Sequence, residues 1–219
     1  MTLPVLSLLE TRVLGVLLEK EITTPDAYPL SLNSLVAGCN QKTNRNPVMS
    51  ASEAEVQVAL DALRRQTLVN ETSGSRVSRF GHNAFKGLGL PRDRVLLLSV
   101  LWLRGAQTPG EIRIHSERFQ NFDDIAAVEA LLETMMEREP PLVIQLPRRP
   151  GSREHRYAHL LSGPVDLEAE MTAEPTYRGA DVTTGEVAAL KSTVAQMRDE
   201  IDSLRSTVER LCAELGVTP

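Results

Sequence analysis

One nine-residue stretch of this 219-residue chain occurs twice, and that duplication limits the fold more than any other feature. Gly74-Ser75-Arg76-Val77-Ser78-Arg79-Phe80-Gly81-His82 returns as Gly151-Ser152-Arg153-Glu154-His155-Arg156-Tyr157-Ala158-His159, with five of nine positions identical. Upstream of each copy lies an amphipathic helical pattern, then a short apolar run (Leu68-Val69; Leu142-Val143-Ile144), a turn signal and the basic stretch itself. This order predicts helix, strand, turn, strand. The echo extends further back. Leu14, Val16, Leu17, Thr24 and Pro25 recur as Leu98, Val100, Leu101, Thr108 and Pro109 at one offset of 84, whereas Val56, Ala59, Leu60 and Leu63 map onto Val128, Leu131, Leu132 and Met135 at 72. The first copy therefore carries 12 extra residues (84 − 72) between Pro25 and Val56. Two copies imply a duplicated domain rather than a solenoid.

A hairpin that follows a small helical cluster is the wing of a winged helix-turn-helix. The expected fold is thus mainly α with small β-wings (α+β): two tandem winged helices over residues 5–87 and 88–162. Local signals agree. Ser7-Leu8-Leu9-Glu10 has capping-box spacing and should start the first helix, which ends before Thr23-Thr24-Pro25. Tyr28-Pro29 requires extended chain, and Leu32, Leu35, Val36 and Cys39 give a short second helix. Ser50 or Ser52 caps the third, which buries Val56, Ala59, Leu60 and Leu63. In the second copy a helix over Arg92 to Arg104 is followed by Thr108-Pro109-Gly110-Glu111, a cap, a first-turn proline and a capping glutamate. Its third helix begins near Asp123-Asp124, buries Val128, Leu131, Leu132, Met135 and Met136, and stops before Pro140-Pro141.

The remaining 57 residues, 163–219, are of another kind. Residues 163–183 are rich in Glu, Asp, Thr, Pro and Gly and read as an acidic flexible linker. Across residues 184–216, Val187, Leu190, Val194, Met197, Ile201, Leu204, Val208, Leu211 and Leu215 alternate steps of three and four, a heptad seam. With β-branched residues mostly at a and Leu or Met at d, it favours a parallel two-stranded coiled coil and hence a homodimer. Glu186 and Glu200 at g then face Lys191 and Arg205 at e of the partner helix.

Charge divides along the same line. The net charge is −5, yet residues 1–163 carry 19 Lys/Arg against 18 Asp/Glu, while residues 164–219 carry 5 against 11. The repeats are nearly neutral, so any nucleic-acid contact has to come from a local basic face. The longest apolar run, Val95 to Leu103, is far shorter than the roughly 20 residues of a membrane span and reads as a buried helix. No basic n-region opens the chain, which points to the cytoplasm and away from the membrane. Cys39 and Cys212 have no metal-site spacing, and His155 and His159, four apart on a strand, lie roughly 13 Å from one another. No metal, cofactor or catalytic motif is expected, so the chain reads as non-enzymatic.

Leu14 to Lys20, the stretch Thr23-Thr24-Pro25-Asp26-Ala27-Tyr28-Pro29-Leu30-Ser31-Leu32-Asn33, and Cys39-Asn40-Gln41-Lys42-Thr43-Asn44-Arg45-Asn46-Pro47-Val48 resemble the YceH family of uncharacterised bacterial proteins. The resemblance covers roughly residues 5–162, and the heptad tail is similar to an extension that many members carry. It implies a tandem winged-helix fold in the bacterial cytoplasm and brings no activity or site residues with it.

For DNA, the polar loop before the third helix has suitable side chains: Arg45 for a guanine edge, Asn44 or Asn46 for adenine, Lys42 for phosphate. On the wing, Arg76 and Arg79, repeated as Arg153 and Arg156, are placed to straddle phosphates; with Phe80 and Tyr157 inward, Arg79 and Arg156 should face solvent. Against this, the loop can equally be a solvated turn held by Pro47. On the third helices, Glu53, Glu55 and Asp61 share the polar surface with Gln57, Arg64 and Arg65 in the first copy, whereas Asp123, Asp124, Glu129, Glu133 and Glu137 dominate in the second. Acid there repels phosphate, so DNA contact is expected mainly from the first copy through Lys42, Asn44, Arg45, Arg76 and Arg79. The second copy suits structure or a protein partner. The alternative for the whole chain is a protein-interaction scaffold, as in the tandem winged helices of ScpB.

Overall fold

The computed structural model describes residues 4–73, 77–149 and 151–172, together with positions 201 and 208 of the tail. Its elements are α1 (Leu8–Thr23), a 3-10 turn (Pro25–Ala27), β1 (Leu30–Ser31), α2 (Leu32–Cys39), α3 (Glu53–Arg65), β2 (Val69–Ser73), β3 (Ser78–His82), α4 (Ala84–Leu88), α5 (Arg92–Arg104), α6 (Pro109–Ser116), α7 (Ile125–Met136), β4 (Val143–Gln145), β5 (Tyr157–His159) and α8 (Leu167–Thr172). The fold is α+β, with helices dominant and two small antiparallel sheets. Residues 1–176 form one compact unit and residues 177–219 a second.

Capping writes the helix starts as the sequence implies. Ser7 exchanges hydrogen bonds with Glu10, Ser52 with Glu55 and Thr108 with Glu111, each pairing a side-chain oxygen with one of the orphan amides of the first turn. Asp124 caps α7 alone, its carboxylate accepting from Ala127 N at 2.8 Å.

The two repeats share one element order, and the sheets align them. In the first, β1 completes a three-stranded sheet of order β1-β3-β2, with Leu30 opposite Phe80. In the second, β4 and β5 form the hairpin and Gln107 bridges Tyr157 where Leu30 meets Phe80. Helix α2 matches α6 residue for residue at an offset of 77 (109 − 32), between the 84 of α1 and α5 and the 72 of α3 and α7. This corrects one expectation. Thr24-Pro25 is not the counterpart of Thr108-Pro109: Thr108 caps α6, whereas Thr24 makes no side-chain capping bond to the 3-10 turn, its hydroxyl donating back to Lys20 O instead, and Ser31 caps α2. The extended chain at Tyr28 and strand β1 separate α1 from α2, so seven of the extra residues (84 − 77) precede α2 and five (77 − 72) follow it.

Helices α1 and α5 pack against each other and are the centre of the unit. Thr11 to Leu18 of α1 and Val95 to Leu103 of α5 are buried without interruption, which means both helices are enclosed on every side. Gly15 permits the contact, since a Cβ there would lie 3.0 Å from the Leu103 side chain. One apolar cluster consequently runs through both repeats, from Leu6 and Val13 to Met135 and Leu161. The backbone of Leu6 donates to Leu161 O at 2.7 Å, tying the start of the first repeat to the end of the second.

Two boundaries depart from expectation. Leu131 and Met136 are half-buried, with Val128, Leu132 and Met135 forming the inner face of α7. The acidic stretch after Gly163 is not irregular from its start: Leu167–Thr172 is helical, held by arginines of the preceding hairpin. In the tail, Ile201 and Val208 are helical and exposed, while Val187, Leu190, Val194, Met197, Leu204, Leu211 and Leu215 lie outside the described residues.

Candidate nucleic-acid interface

The polar loop from Asn40 to Pro47, which the sequence offers equally to DNA and to solvent, in large part faces the protein. Arg45 is 5% exposed; its Nε donates to Gly38 O at 3.1 Å, its Nη1 to Asn44 O at 2.9 Å, and its guanidinium pairs with the Glu19 carboxylate. A buried guanidinium cannot read a base edge, so the assignment of Arg45 to a guanine contact is corrected here. The reason lies in helix ends. The last carbonyls of α2 have no intrahelical partners, and Arg45 and Arg12 supply donors to them, at Gly38 O and, from Arg12 Nη1, at Cys39 O (3.2 Å), while Arg12 Nη2 bonds Pro47 O of the loop at 2.8 Å. Loop and second repeat are tied too, through Asn46 N to Leu103 O at 2.8 Å and Arg104 Nη2 to Asn44 Oδ1 at 2.8 Å. Asn40 brackets the far end, exchanging two bonds of 2.7 Å with the backbone of Ala51.

This clamp is electrostatically costly. Burial, and then the neighbouring Arg45, push Arg12 down to about 10, and burial pushes the Cys39 thiol up to about 11. Cys39 is accordingly a protonated core residue rather than a nucleophile. Of its polar residues the loop leaves Lys42, Thr43 and Asn44 exposed, with Asn44 at φ 60°, a left-handed turn conformation that asparagine tolerates.

On the first hairpin, Phe80 points into the core and Arg79 outward, as strand alternation requires. Arg79 is exposed but anchored, with Nη1 donating to Pro29 O at 2.8 Å. Arg76 lies outside the described residues. The base of the sheet is fixed by Tyr28, whose hydroxyl accepts from His82 N at 2.6 Å, and by His82 Nε2, 2.7 Å from the Glu21 carboxylate. Sequence reasoning gave Arg64 and Arg65 of α3 no role. With Asp61, Val69, Asn70 and Glu71 they line an open depression of about 550 Å³, where Arg64 pairs with Glu71 at 2.7 Å and Asp61 at 3.5 Å. Among the described residues of the loop, α3 and the first hairpin, Lys42, Arg65 and Arg79 are exposed cations, and Arg64 is exposed but partly neutralised by Glu71 and Asp61.

The second hairpin differs. Tyr157 is buried as expected, but Arg156 is not turned to open solvent: Nη1 donates to the Glu170 carboxylate at 3.1 Å and Nη2 to Glu170 O at 2.9 Å. Arg153 is exposed. His155 donates from Nδ1 to Leu146 O and accepts at Nε2 from Arg148, both at 3.0 Å, and burial pushes His159 down to about 4. On α7 and its C-cap, Ile125, Glu129, Glu133 and Glu137 are exposed at spacing four. Among the described residues, no helix is long and apolar enough to cross a membrane.

Comparison with known proteins places this surface in a family. A family model described as "Protein of unknown function, DUF480" matches residues 6–152. A UPF0502 protein of Acidovorax sp. (strain JS42) is 52% identical over 214 residues, covering 95% of this chain and 93% of the relative. A UPF0502 protein of Burkholderia orbicola (strain MC0-3) is 50% identical over 210 residues (95% and 89%), and one of Leptothrix cholodnii 49% over 209 residues (95% and 94%). The clamp around Arg12 and Arg45 lies within the matched residues, and on that match, with relatives about half identical along nearly the whole chain, the protein belongs to the DUF480 family, as its resemblance to YceH proteins implied.

Proposed function

We propose that the chain is a non-enzymatic, cytoplasmic tandem winged-helix protein that binds duplex DNA through its first repeat, as a homodimer joined by a parallel coiled coil of residues 184–216. The observation that carries this reading is the order helix, helix, helix, hairpin, met twice, with a backbone pairing ahead of the second helix at matching register in each repeat, Leu30 to Phe80 in strand β1 and Gln107 to Tyr157 as an isolated bridge. In such a module the third helix and the hairpin face the duplex. Lys42 and Arg79 supply phosphate contacts from the loop and the hairpin, Arg65 adds a third from the end of α3, and Asn44 offers a polar side chain beside them. The contact is dominated by backbone charge rather than base reading, since Arg45 is committed to Glu19. Titration of random-sequence duplex DNA at two salt concentrations tests it. Affinity should fall steeply with salt, and Lys42→Ala with Arg79→Ala should lower the slope by about two. An unchanged slope and affinity in that folded double variant would sink the reading.

A second reading, the protein-interaction scaffold, is favoured by one observation in the second repeat. Ile114 and Ile125 are 56% and 47% exposed, and a Cβ on Gly110, one turn before Ile114, would lie 3.9 Å from Ile125 Cδ1. An apolar patch leading into Glu129, Glu133 and Glu137 suits a basic amphipathic partner better than phosphate. A stoichiometric protein recovered from DNase-treated lysate, and lost on Ile114→Asp, would support it.

A further inference from the structure

We propose that the hairpin of the second repeat is a separate phosphate-binding surface for duplex DNA, and that Glu170 of α8 occupies it as the chain's own substitute for a backbone phosphate. Two guanidinium groups converge there on one oxygen. Arg149 Nη2 and Arg156 Nη2 donate to Glu170 O at 3.1 and 2.9 Å, Arg149 Nε reaches the same oxygen at 3.3 Å, and Arg156 Nη1 takes the Glu170 carboxylate at 3.1 Å. A phosphate presents several acceptor oxygens on one centre and satisfies such a pair of forks more fully than a carbonyl and a single carboxylate oxygen.

The surroundings point the same way. Residues 148–156 hold four arginines, Arg148, Arg149, Arg153 and Arg156, against one carboxylate, Glu154. Arg148 and Arg153 of the same stretch are exposed. Burial and then the neighbouring Arg156 lower the affinity of Arg149 for its proton, as expected where two cations are gathered around one acceptor. The occupant is weakly built. Helix α8 has six residues, too few to be stable alone, and its large apolar side chains Leu167 and Met171 are exposed rather than seated in the core. Asp166 and Glu168 give the same short segment two more acidic groups. A segment held chiefly by polar contacts can be exchanged for a polyanion of higher charge density, and the acidic stripe of α7 restricts that contact to the hairpin.

This surface uses neither Lys42 nor Arg79, so its failure and that of the first-repeat reading can be separated. The full chain is titrated with a random-sequence 30-base-pair duplex at two salt concentrations, as wild type and as Glu170→Pro. The substitution removes the carboxylate and the bond from Glu170 N to Asp166 O (3.0 Å) that helps hold α8. The same pair is measured in the Lys42→Ala, Arg79→Ala background. Glu170→Pro should tighten binding about tenfold and steepen the salt slope by about two in both backgrounds. Arg149→Ala with Arg156→Ala should cancel that gain. Glu170→Gln, which keeps the backbone N–H and with it the bond to Asp166 O, should give a smaller gain of the same sign and serves if circular dichroism shows the proline variant misfolded. No gain with either variant, or a gain that survives loss of both arginines, overturns the proposal. Stronger binding of poly-glutamate than of duplex by Glu170→Pro overturns the nucleic-acid assignment in favour of an acidic polypeptide.

Discussion

Arg45 turns its guanidinium inward onto the carboxylate of Glu19, joining the loop after α2 to the partly buried C-terminal half of α1, 26 residues earlier in the chain. Arg12 lies close enough to feel the charge of Arg45, and Glu19 acts on both. Removing one member strands the others away from water. Arg45→Ala should cost about 3–5 kcal/mol of stability, read as a fall in the urea midpoint at pH 7.5. DNA affinity per folded molecule should be unchanged. A stable variant with weakened DNA binding would show that Arg45 faces the ligand after all.

Gly38 sits where α2 crosses α1, and a Cβ there would lie 2.6 Å from Val16 Cγ1. Valine is stiff at χ1 and fully buried, so it cannot swing aside freely. Gly38→Ala should therefore destabilise by about 1–3 kcal/mol despite alanine's better helix propensity. A thermal melt checks this, and the smaller clash at Gly15 (3.0 Å, onto the longer Leu103) should cost less on Gly15→Ala.

His159 is pushed down to about 4 by burial alone, and its Nδ1 is buried without a hydrogen-bond partner. The unfolded chain, with histidine near 6.5, binds the proton that the native state refuses between those two values. Stability should thus be intact above about pH 6.5 and decline as pH falls toward 4. His115, also pushed down to about 4, adds to the same window. His159→Phe should be nearly neutral at pH 7.5 and should recover roughly 1–2 kcal/mol at pH 5, measured as the difference in urea midpoints. An equal pH dependence in wild type and variant would contradict this assignment.

For the tail, Ile201→Lys with Leu204→Lys places charge at adjacent a and d positions of the seam. Sedimentation should find the wild type dimeric and the double variant monomeric at tens of micromolar. Circular dichroism should show a modest loss of helix from the tail alone. A dimeric double variant would remove the coiled coil from the proposed function.

Much of the local structure was legible because it is decided by near neighbours. The capping boxes at Ser7, Ser52 and Thr108, the limits of α5 and the inward turn of Phe80 and Tyr157 follow from spacing along a few residues. Duplication was legible for the same reason, since related repeats keep the same apolar positions. The pairing of Thr24-Pro25 with Thr108-Pro109 failed because identity in sequence outweighed an insertion that only strand register reveals: Leu30 meets Phe80 as Gln107 meets Tyr157.

The tertiary structure alone decided which charges are available. Arg45, Arg149 and Arg156 look alike in sequence to Lys42 and Arg79, because a polar residue in a loop or hairpin carries no local sign of its partner. Those partners, Glu19 and Glu170, stand 26 and 14–21 residues away. Likewise, apolar periodicity marked α1 and α5 as buried but not by what, and their contact through Gly15 and Leu103 gathers the two repeats into one core. The sequence by itself determined the elements and their duplication, since these rest on short-range backbone and capping preferences. Which cations face water was decided only when the folded chain brought helix ends and carboxylates within hydrogen-bond reach of them.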